Sequence, residues 1–461
     1  MNLKTQLNQL NKFIKQHRIE IIDLKCVDLI GRLHHVSLPL SEVTLDEIVY
    51  NGVGFDGSSY RFSKVESSDM ILIPDLSTAV IDPFREMKTL SFFANIHLTD
   101  KARSRFNQDG RYVASKAESI LKKYNIADLS WWGPEFEFYI FSKVEYDTRT
   151  ASSYYHVEHA EEFFTNAYHA ANPFDIYDDF RDEACAYLKK FGIKVKYHHH
   201  EVGERGQQEI ETYFMNLLEA GDKTILTKYT LFNFSRMKNL FVTFMPKPMF
   251  HQAGNGLHVH QFLTKKGKNV FYERGKYGNL SKLALYYIGG LLKHANALCA
   301  FTNPSTNSYK RLVPGFEAPV AITFGQANRS SAIRIPKYVN NPQFTRMEYR
   351  PPDATANPYL CFSAMLMAGI DGIINKIDPT EEGFGPFDTN IFDLEKDKKI
   401  HFLPRNLSEA LDALEDDNDF LKRDNVFSDD LIQQWIKLKE EEIKSIATMP
   451  HPFEYKMYFS L

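Results

Sequence analysis

Acidic residues and histidines recur through the middle of the chain at spacings that strands would turn into a ligand-bearing face. In Trp132-Gly133-Pro134-Glu135-Phe136-Glu137-Phe138-Tyr139-Ile140, strand alternation sets Glu135, Glu137 and Tyr139 on one side and Phe136, Phe138 and Ile140 on the other. Glu201 and Glu209 bracket a glycine-containing turn, His258 and His260 alternate with Leu257 and Val259, and Arg346, Glu348 and Arg350 alternate with Met347 and Tyr349. Carboxylates repeated on one covered face repel each other unless cations lie between them. The donors are carboxylates with one or two imidazoles and no thiolate, a set that suits Mg2+ or Mn2+ and disfavours zinc. Two such ions close together serve phosphoryl transfer or hydrolysis, where they clamp oxygens and neutralise developing charge.

That chemistry calls for guanidinium groups, and Arg311, Arg329, Arg334, Arg346 and Arg350 follow in one stretch rich in Gly, Pro and Asn. Planar guanidinium forks grip carboxylate and phosphate bidentately. Ile333-Arg334-Ile335-Pro336 sets its arginine among apolar residues, where an unpaired charge is costly, so a ligand or an acidic partner is expected. No Gly-x-x-x-x-Gly-Lys-Ser/Thr occurs, which excludes a P-loop as the nucleotide site. A lone Glu-x-Glu is more often a solvated sheet face than a metal site; the conjunction of several such strands carries the metal reading. In His198-His199-His200, alternation turns His199 away from the other two, and the run is read as mainly structural, with Glu201 the stronger candidate.

The elements that must position these groups can be outlined. Short β-like runs at Ile19-Ile22, His35-Leu38, Met70-Pro74 and Leu90-Ile96, with little helical pattern between them, predict a small sheet domain over residues 1–105. Val113, Ala117, Ile120, Leu121 and Tyr124 have helical spacing and open a large second domain, 106–461, in which ligand-bearing strands alternate with helices. Leu283–Leu292 and Tyr359–Ile370 are apolar but shorter than the ~18 residues of a membrane span, and are expected to be buried helices. Residues 407–447 read as amphipathic helix, and the aromatic-rich end, His451 to Tyr458, is expected to dock against something. The fold class expected is α+β.

With 461 residues, 43% hydrophobic and 25% charged, the chain reads as an ordinary globular protein. Lys+Arg (55) and Asp+Glu (59) nearly balance at a net charge of -4, so there is no electrostatic footprint for nucleic acid and a small-molecule partner is favoured. Cys26, Cys185, Cys299 and Cys361 lie far apart and read as reduced core thiols. The start of the chain has amphipathic helical spacing rather than that of a secretion signal, and the expectation is a cytoplasmic protein without membrane contact.

Seven blocks then converge on one family. Phe55-Asp56-Gly57-Ser58-Ser59, Gly133-Pro134-Glu135-Phe136-Glu137, His199-His200-Glu201-Val202, Met245-Pro246-Lys247-Pro248, Gly256-Leu257-His258-Val259-His260, Asn303-Pro304-Ser305-Thr306-Asn307-Ser308-Tyr309-Lys310-Arg311-Leu312-Val313-Pro314-Gly315 and Ala356-Asn357-Pro358-Tyr359-Leu360 resemble, in order, the signature blocks of type I glutamine synthetase. The resemblance implies an N-terminal β-grasp domain, a catalytic domain related to guanidino kinases, and a dodecamer of two stacked hexameric rings with active sites between neighbours. It also implies ATP-dependent ligation of ammonium to glutamate through γ-glutamyl phosphate, with two Mg2+ or Mn2+ ions per site. By position, Glu137, Glu201 and Glu209 would hold the metal nearer glutamate and ammonia, and Glu135, His258 and Glu348 the metal on the nucleotide phosphates. Arg311, Arg350 and Gly254 match positions that meet glutamate, Arg329 and Arg334 those that meet the transferring phosphate, and Phe214, His260 and Arg346 fall near the nucleotide. Asp56, donated by an adjacent subunit, matches the residue that binds ammonium and takes its proton; Glu317 matches a flap glutamate and Tyr168 a tyrosine of the ammonium pocket.

The sequence also departs from the family's pattern. Ala253 stands where an asparagine is usual, Phe262 replaces a small polar residue, Gln343 a lysine and Lys196 an acidic residue. Relatives with the same metal core join glutamate to polyamines or other amines, and this is the alternative activity; an inactive scaffold or nitrogen-sensing member is a further one. Asn390-Ile391-Phe392-Asp393-Leu394 carries phenylalanine where some relatives have a tyrosine that is adenylylated, so escape from that control is expected.

Overall fold

The runs expected near the start of the chain are strands. In the computed structural model, which describes residues 2–62, 68–161, 166–313, 318–391 and 400–461, they form a mixed sheet in the order Leu33–Pro39, Ile21–Val27, Thr89–Leu98, Asp69–Pro74, Val53–Asp56. Val80–Ile81 adds to Thr89–Leu98, and Ile21–Val27 runs parallel to that same strand. The helix Leu45–Asn51 was not legible: it is barely two turns long, too short to display a period. It forms because Thr44 and Glu47 cap it reciprocally and Leu45, Ile48 and Val49 bury in the sheet core.

The second sheet carries the chemistry. Its order is Val195–His200, Gln207–Thr212, Leu129–Phe141, Leu257–Lys265, Met347–Tyr349, Ser331–Ile335, Ala321–Gln326, antiparallel except for the last pair. Trp132, Phe136, Phe138 and Ile140 occupy the apolar face of its central strand, and Trp132 stacks on Phe362 of the helix Pro358–Asn375 at 5.4 Å. That helix is the axis of the domain, packed against Gly110–Lys123, Leu217–Met237 and Lys282–Lys293. It is apolar enough to cross a membrane by composition, but is buried in the core. Both apolar runs expected to be buried helices are so.

Two polar devices tie the sheets together. Asn357 caps the axial helix through the Tyr359 amide (3.1 Å), while its Nδ2 donates to the carbonyls of Asp28 (3.3 Å) and Leu29 (3.0 Å) in the first unit. Gly31, at φ +92°, lies so close that a Cβ there would meet Asn357 Cα at 2.8 Å, so only glycine fits. Arg111 donates from Nε and Nη2 to the Asp222 carboxylate (2.9 and 3.0 Å) and reaches Asp75 (2.9 Å) and Asn95 (2.5 Å) across the junction. At the other end of the chain, Pro452–Tyr458 is helical but exposed, so within this chain it is not docked as the sequence led one to expect.

Candidate active site

Antiparallel register brings the charged residues into rows. Glu209 faces Glu137 and Glu211 faces Glu135 on one side of the central strand; on the other, His258 faces Glu135. His260 then faces Glu348, and Glu348 faces Arg334. The polar face opens on a cavity of about 370 Å³. Glu135, Glu137, Glu201, Glu209, His258, Gly254, Arg311, Arg329, Arg334, Arg350 and Tyr168 line it together, so residues separated by more than two hundred positions share one space.

One side of the cavity carries its own cations. Glu348 is fully buried; Arg334 Nε donates to one of its oxygens, and Arg350 Nη1 to the other at 2.7 Å. Burial alone would raise its carboxyl, but Arg334 and Arg350 outweigh that and hold it down at about 2. Glu135 contacts His260 Nε2 (2.7 Å) and His258 Nδ1 (3.2 Å), and against the same burial penalty these imidazoles hold it well below the usual carboxylate range.

The opposite side holds carboxylates without that compensation. Burial, then Glu209 and Glu137, pushes Glu201 well above its ordinary value; burial, then Glu135 and Glu137, does the same to Glu209. Glu137 reaches between the two sides, accepting the Gly256 amide at 2.6 Å with His258 Nε2 at 3.5 Å. Gly256 has no room for a side chain, since a Cβ would meet Arg311 Nη2 at 2.5 Å and His258 Nε2 at 2.8 Å, which accounts for the glycine in this histidine-bearing block.

Among the described residues, three groups of donor atoms, each within 4.8 Å of one another, could hold a metal ion: Glu135, His258 and Glu348; His199, Glu201 and Glu209; and Glu135, Glu211 and His260. The first is one of the expected sets. In the second, His199 stands with Glu201 and Glu209, and Glu137 lies beside them in the cavity lining. The sequence reading took the three histidines as mainly structural; instead His199 lies opposite Glu209, and its Nε2 is 3.4 Å from that carboxylate. The missed signal was in the alternation itself, which places His199 on the same face as Tyr197 and Glu201, both of which line the cavity. Hard oxygen donors with one imidazole each, repelling one another where no cation intervenes, fit divalent ions such as Mg2+ or Mn2+.

Other expected residues lie elsewhere. Arg346 sits 5.6 Å from the Phe214 ring and 5.7 Å from that of Tyr338, and donates to His260 Nδ1 at 3.3 Å, forming an aromatic, cationic patch joined to Glu135 through His260. Asp56 is exposed at the edge of the first sheet, accepts from the Ser58 amide and hydroxyl (both 2.9 Å), and does not line this cavity. Glu317 and Phe392 lie outside the described residues. Among the departures from the resemblance, Ala253 joins the cavity wall, its carbonyl accepting from Tyr139 at 2.8 Å, while Lys196 pairs with Glu211 at 2.6 Å. Phe262 packs on Trp131 and Phe214, and Gln343 accepts the Asn269 amide at 3.2 Å.

Residues 107–458 match the family model described as glutamine synthetase, catalytic domain, and residues 18–99 the one described as glutamine synthetase, beta-Grasp domain. The chain belongs to the glutamine synthetase family. It is 42% identical over 478 residues to the glutamine synthetase of Frankia alni, covering 99% of this chain and 100% of that one. A protein named 3-hydroxylaminophenol mutase, from Cupriavidus pinatubonensis, is also 42% identical, over 470 residues and 98% of each chain. Among solved structures, the Plasmodium falciparum glutamine synthetase superposes with a TM-score of 0.88 at 29% identity, covering 98% of each chain. The expected fold, a β-grasp domain followed by the large catalytic domain, is therefore that of the glutamine synthetase family, whose members use ATP and divalent metal.

Proposed function

We propose that this family member ligates ammonia to the side-chain carboxylate of L-glutamate, converting ATP to ADP and phosphate through γ-glutamyl phosphate. The observation that carries the reading is a single cavity lined both by carboxylate and imidazole donors and by Arg311, Arg329, Arg334 and Arg350. Acidic donors alone would suit a cation store; arginines on the same cavity make it suited to anions bridged by cations, which is what ATP and glutamate present. Two divalent ions, held by Glu135, His258 and Glu348 and by Glu201 and Glu209 with Glu137, would neutralise charge on the phosphoryl oxygens.

The chain's own groups then have distinct work. Arg311 donates to the carbonyls of Pro351 (2.8 Å) and Arg350 (3.2 Å), which fixes its fork at the cavity wall to receive the substrate's α-carboxylate beside Arg350. Arg329 and Arg334 meet the transferring phosphoryl group, and Phe214, His260 and Arg346 take the nucleotide. A glutamate oxygen attacks the terminal phosphorus and ADP leaves; ammonia then attacks the acyl carbon and phosphate leaves. Asp56 of a neighbouring subunit, with Glu317 and Tyr168, binds ammonium and takes its proton, since only the neutral form is nucleophilic. Division at 105/106 and a dodecamer of two hexameric rings belong to the same reading: the exposed Asp56 edge is free to meet another copy's cavity.

The relative named as a mutase, at the same identity as the Frankia alni synthetase, is why overall similarity does not decide the reaction. A second reading, ligation of glutamate to an organic amine, is favoured by one feature, the small Ala253 in the cavity wall. Steady-state ADP release with saturating ATP and glutamate, compared across ammonium, methylamine, putrescine and spermidine, separates the two. Ammonium should have the highest kcat/KM; a higher value for any organic amine rejects the ammonia reading, and no glutamate-dependent ADP release with any donor rejects both.

A further inference from the structure

We infer that His199 supplies a nitrogen ligand to the divalent cation held by Glu201 and Glu209, an inference that rests on the metal-dependent reading above. Its Nε2 lies 3.4 Å from Glu209, and donor atoms of His199, Glu201 and Glu209 all fall within 4.8 Å of each other. The tautomer follows from the other nitrogen. Nδ1 is 3.1 Å from the carbonyl oxygen of His200, which can only accept, so Nδ1 is the donor and Nε2, on the cavity side, is the nitrogen placed to meet a cation. A backbone carbonyl on the remote nitrogen is the usual way in which a protein sets the tautomer and orientation of a metal-binding imidazole. The ring is also held laterally: His169 and Tyr168 meet it edge-on at 4.4 and 5.3 Å, and Tyr197 stacks at 6.0 Å. The His169 amide donates to the same His200 carbonyl at 3.0 Å, so the loop bearing Tyr168 and the histidine's anchor are one assembly.

An imidazole among carboxylates has a chemical consequence. Nitrogen donors favour later first-row cations, whereas oxygen donors suit Mg2+, so this position should prefer Mn2+ to Mg2+ more strongly than a purely carboxylate site would. Asparagine places an amide near the position of Nδ1, so His199→Asn keeps a donor for the His200 carbonyl while deleting Nε2; glutamine places an oxygen near Nε2, so His199→Gln restores a harder donor.

The test is a Mn2+ titration of the metal-stripped full chain, without nucleotide or amino acid, followed by paramagnetic resonance and calorimetry. The expected result is two sites in the wild type, one of them weakened about 10–100-fold in His199→Asn with loss of a 14N modulation. His199→Gln should bind Mg2+ better than His199→Asn and have a lower Mn2+-to-Mg2+ preference than the wild type. Unchanged Mn2+ affinity and unchanged 14N modulation in both variants would overturn the inference while leaving the ligase reading intact, because no substrate is present. Failure of the wild type to bind Mn2+ would overturn both. Should His199→Asn not fold, the selectivity ratio of His199→Gln decides.

Discussion

Glu135 and Glu348 on one side of the cavity, and Glu201 and Glu209 on the other, are the same residue type, yet their carboxyls are driven in opposite directions. Burial would raise all four. On the first side, strands that enter the sheet late in the chain bring His258, His260, Arg334 and Arg350 against the acids. On the second, the neighbours that dominate are further glutamates. The difference teaches how the fold itself treats buried acids: on the first side its own cations compensate them, and on the second the carboxylates face mainly one another.

The largest effect expected from breaking this contrast is in Glu348→Ala. It would leave the buried Arg350 and the half-buried Arg334 without their shared acid, so the protein should lose about 3–5 kcal/mol of stability in denaturant titrations, and nucleotide and metal binding should weaken. Wild-type stability would show that the two guanidinium groups have other sufficient partners. Next, Glu201→Gln removes a repelled charge. Metal-free stability should hold or rise, while turnover should fall by about 10²-fold or more as transition-state charge loses compensation; near-normal turnover together with near-normal activity of Glu348→Ala at saturating metal would sink the two-metal reading.

A pH series sharpens the same contrast at smaller amplitude. The folded carboxyls of Glu201 and Glu209 are raised above their unfolded value, so between that value, about 4.3, and the raised one the folded state binds more protons, and stability falls as pH rises. Glu135 and Glu348 behave oppositely: their contribution is present above the unfolded value and is lost as pH falls through their depressed ones. The metal-free protein should therefore lose up to about 1.4 kcal/mol per pH unit for each proton involved, and saturating Mn2+ should flatten that slope. Melting curves of Glu209→Gln against the wild type isolate the contribution; identical pH slopes with and without Mn2+ would remove the electrostatic distinction between the sides.

The smallest effect on either side should come from Asp56→Asn. Asp56 is exposed on the first sheet, and its carboxyl is lowered by the Ser58 hydroxyl and amide rather than by anything in the cavity. Both Mn2+ affinities and ATP binding should be unchanged while the KM for ammonium rises or turnover falls. Ammonium kinetics identical to the wild type would remove Asp56 from the acceptor pocket.

The sequence by itself determined which residues carry charge, the alternation that separates Glu135 and Glu137 from Phe136 and Phe138, the apolar helices, and the ordered blocks that gave the family. These are local properties: a period of two or 3.6 is written within one element, and a motif within a dozen residues. Strand order was not local. Nothing in the neighbourhood of Glu348 announces that Arg334 will lie across one ladder from it and His260 across the other, nor that His199, locally one of three histidines, will face Glu209. Those pairings follow from how the strands assemble around one buried axial helix, because long-range packing selects the register that buries every apolar face at once. The sequence therefore named the charged groups, and only the tertiary structure decided which acids meet a built-in cation and which face mainly other acids.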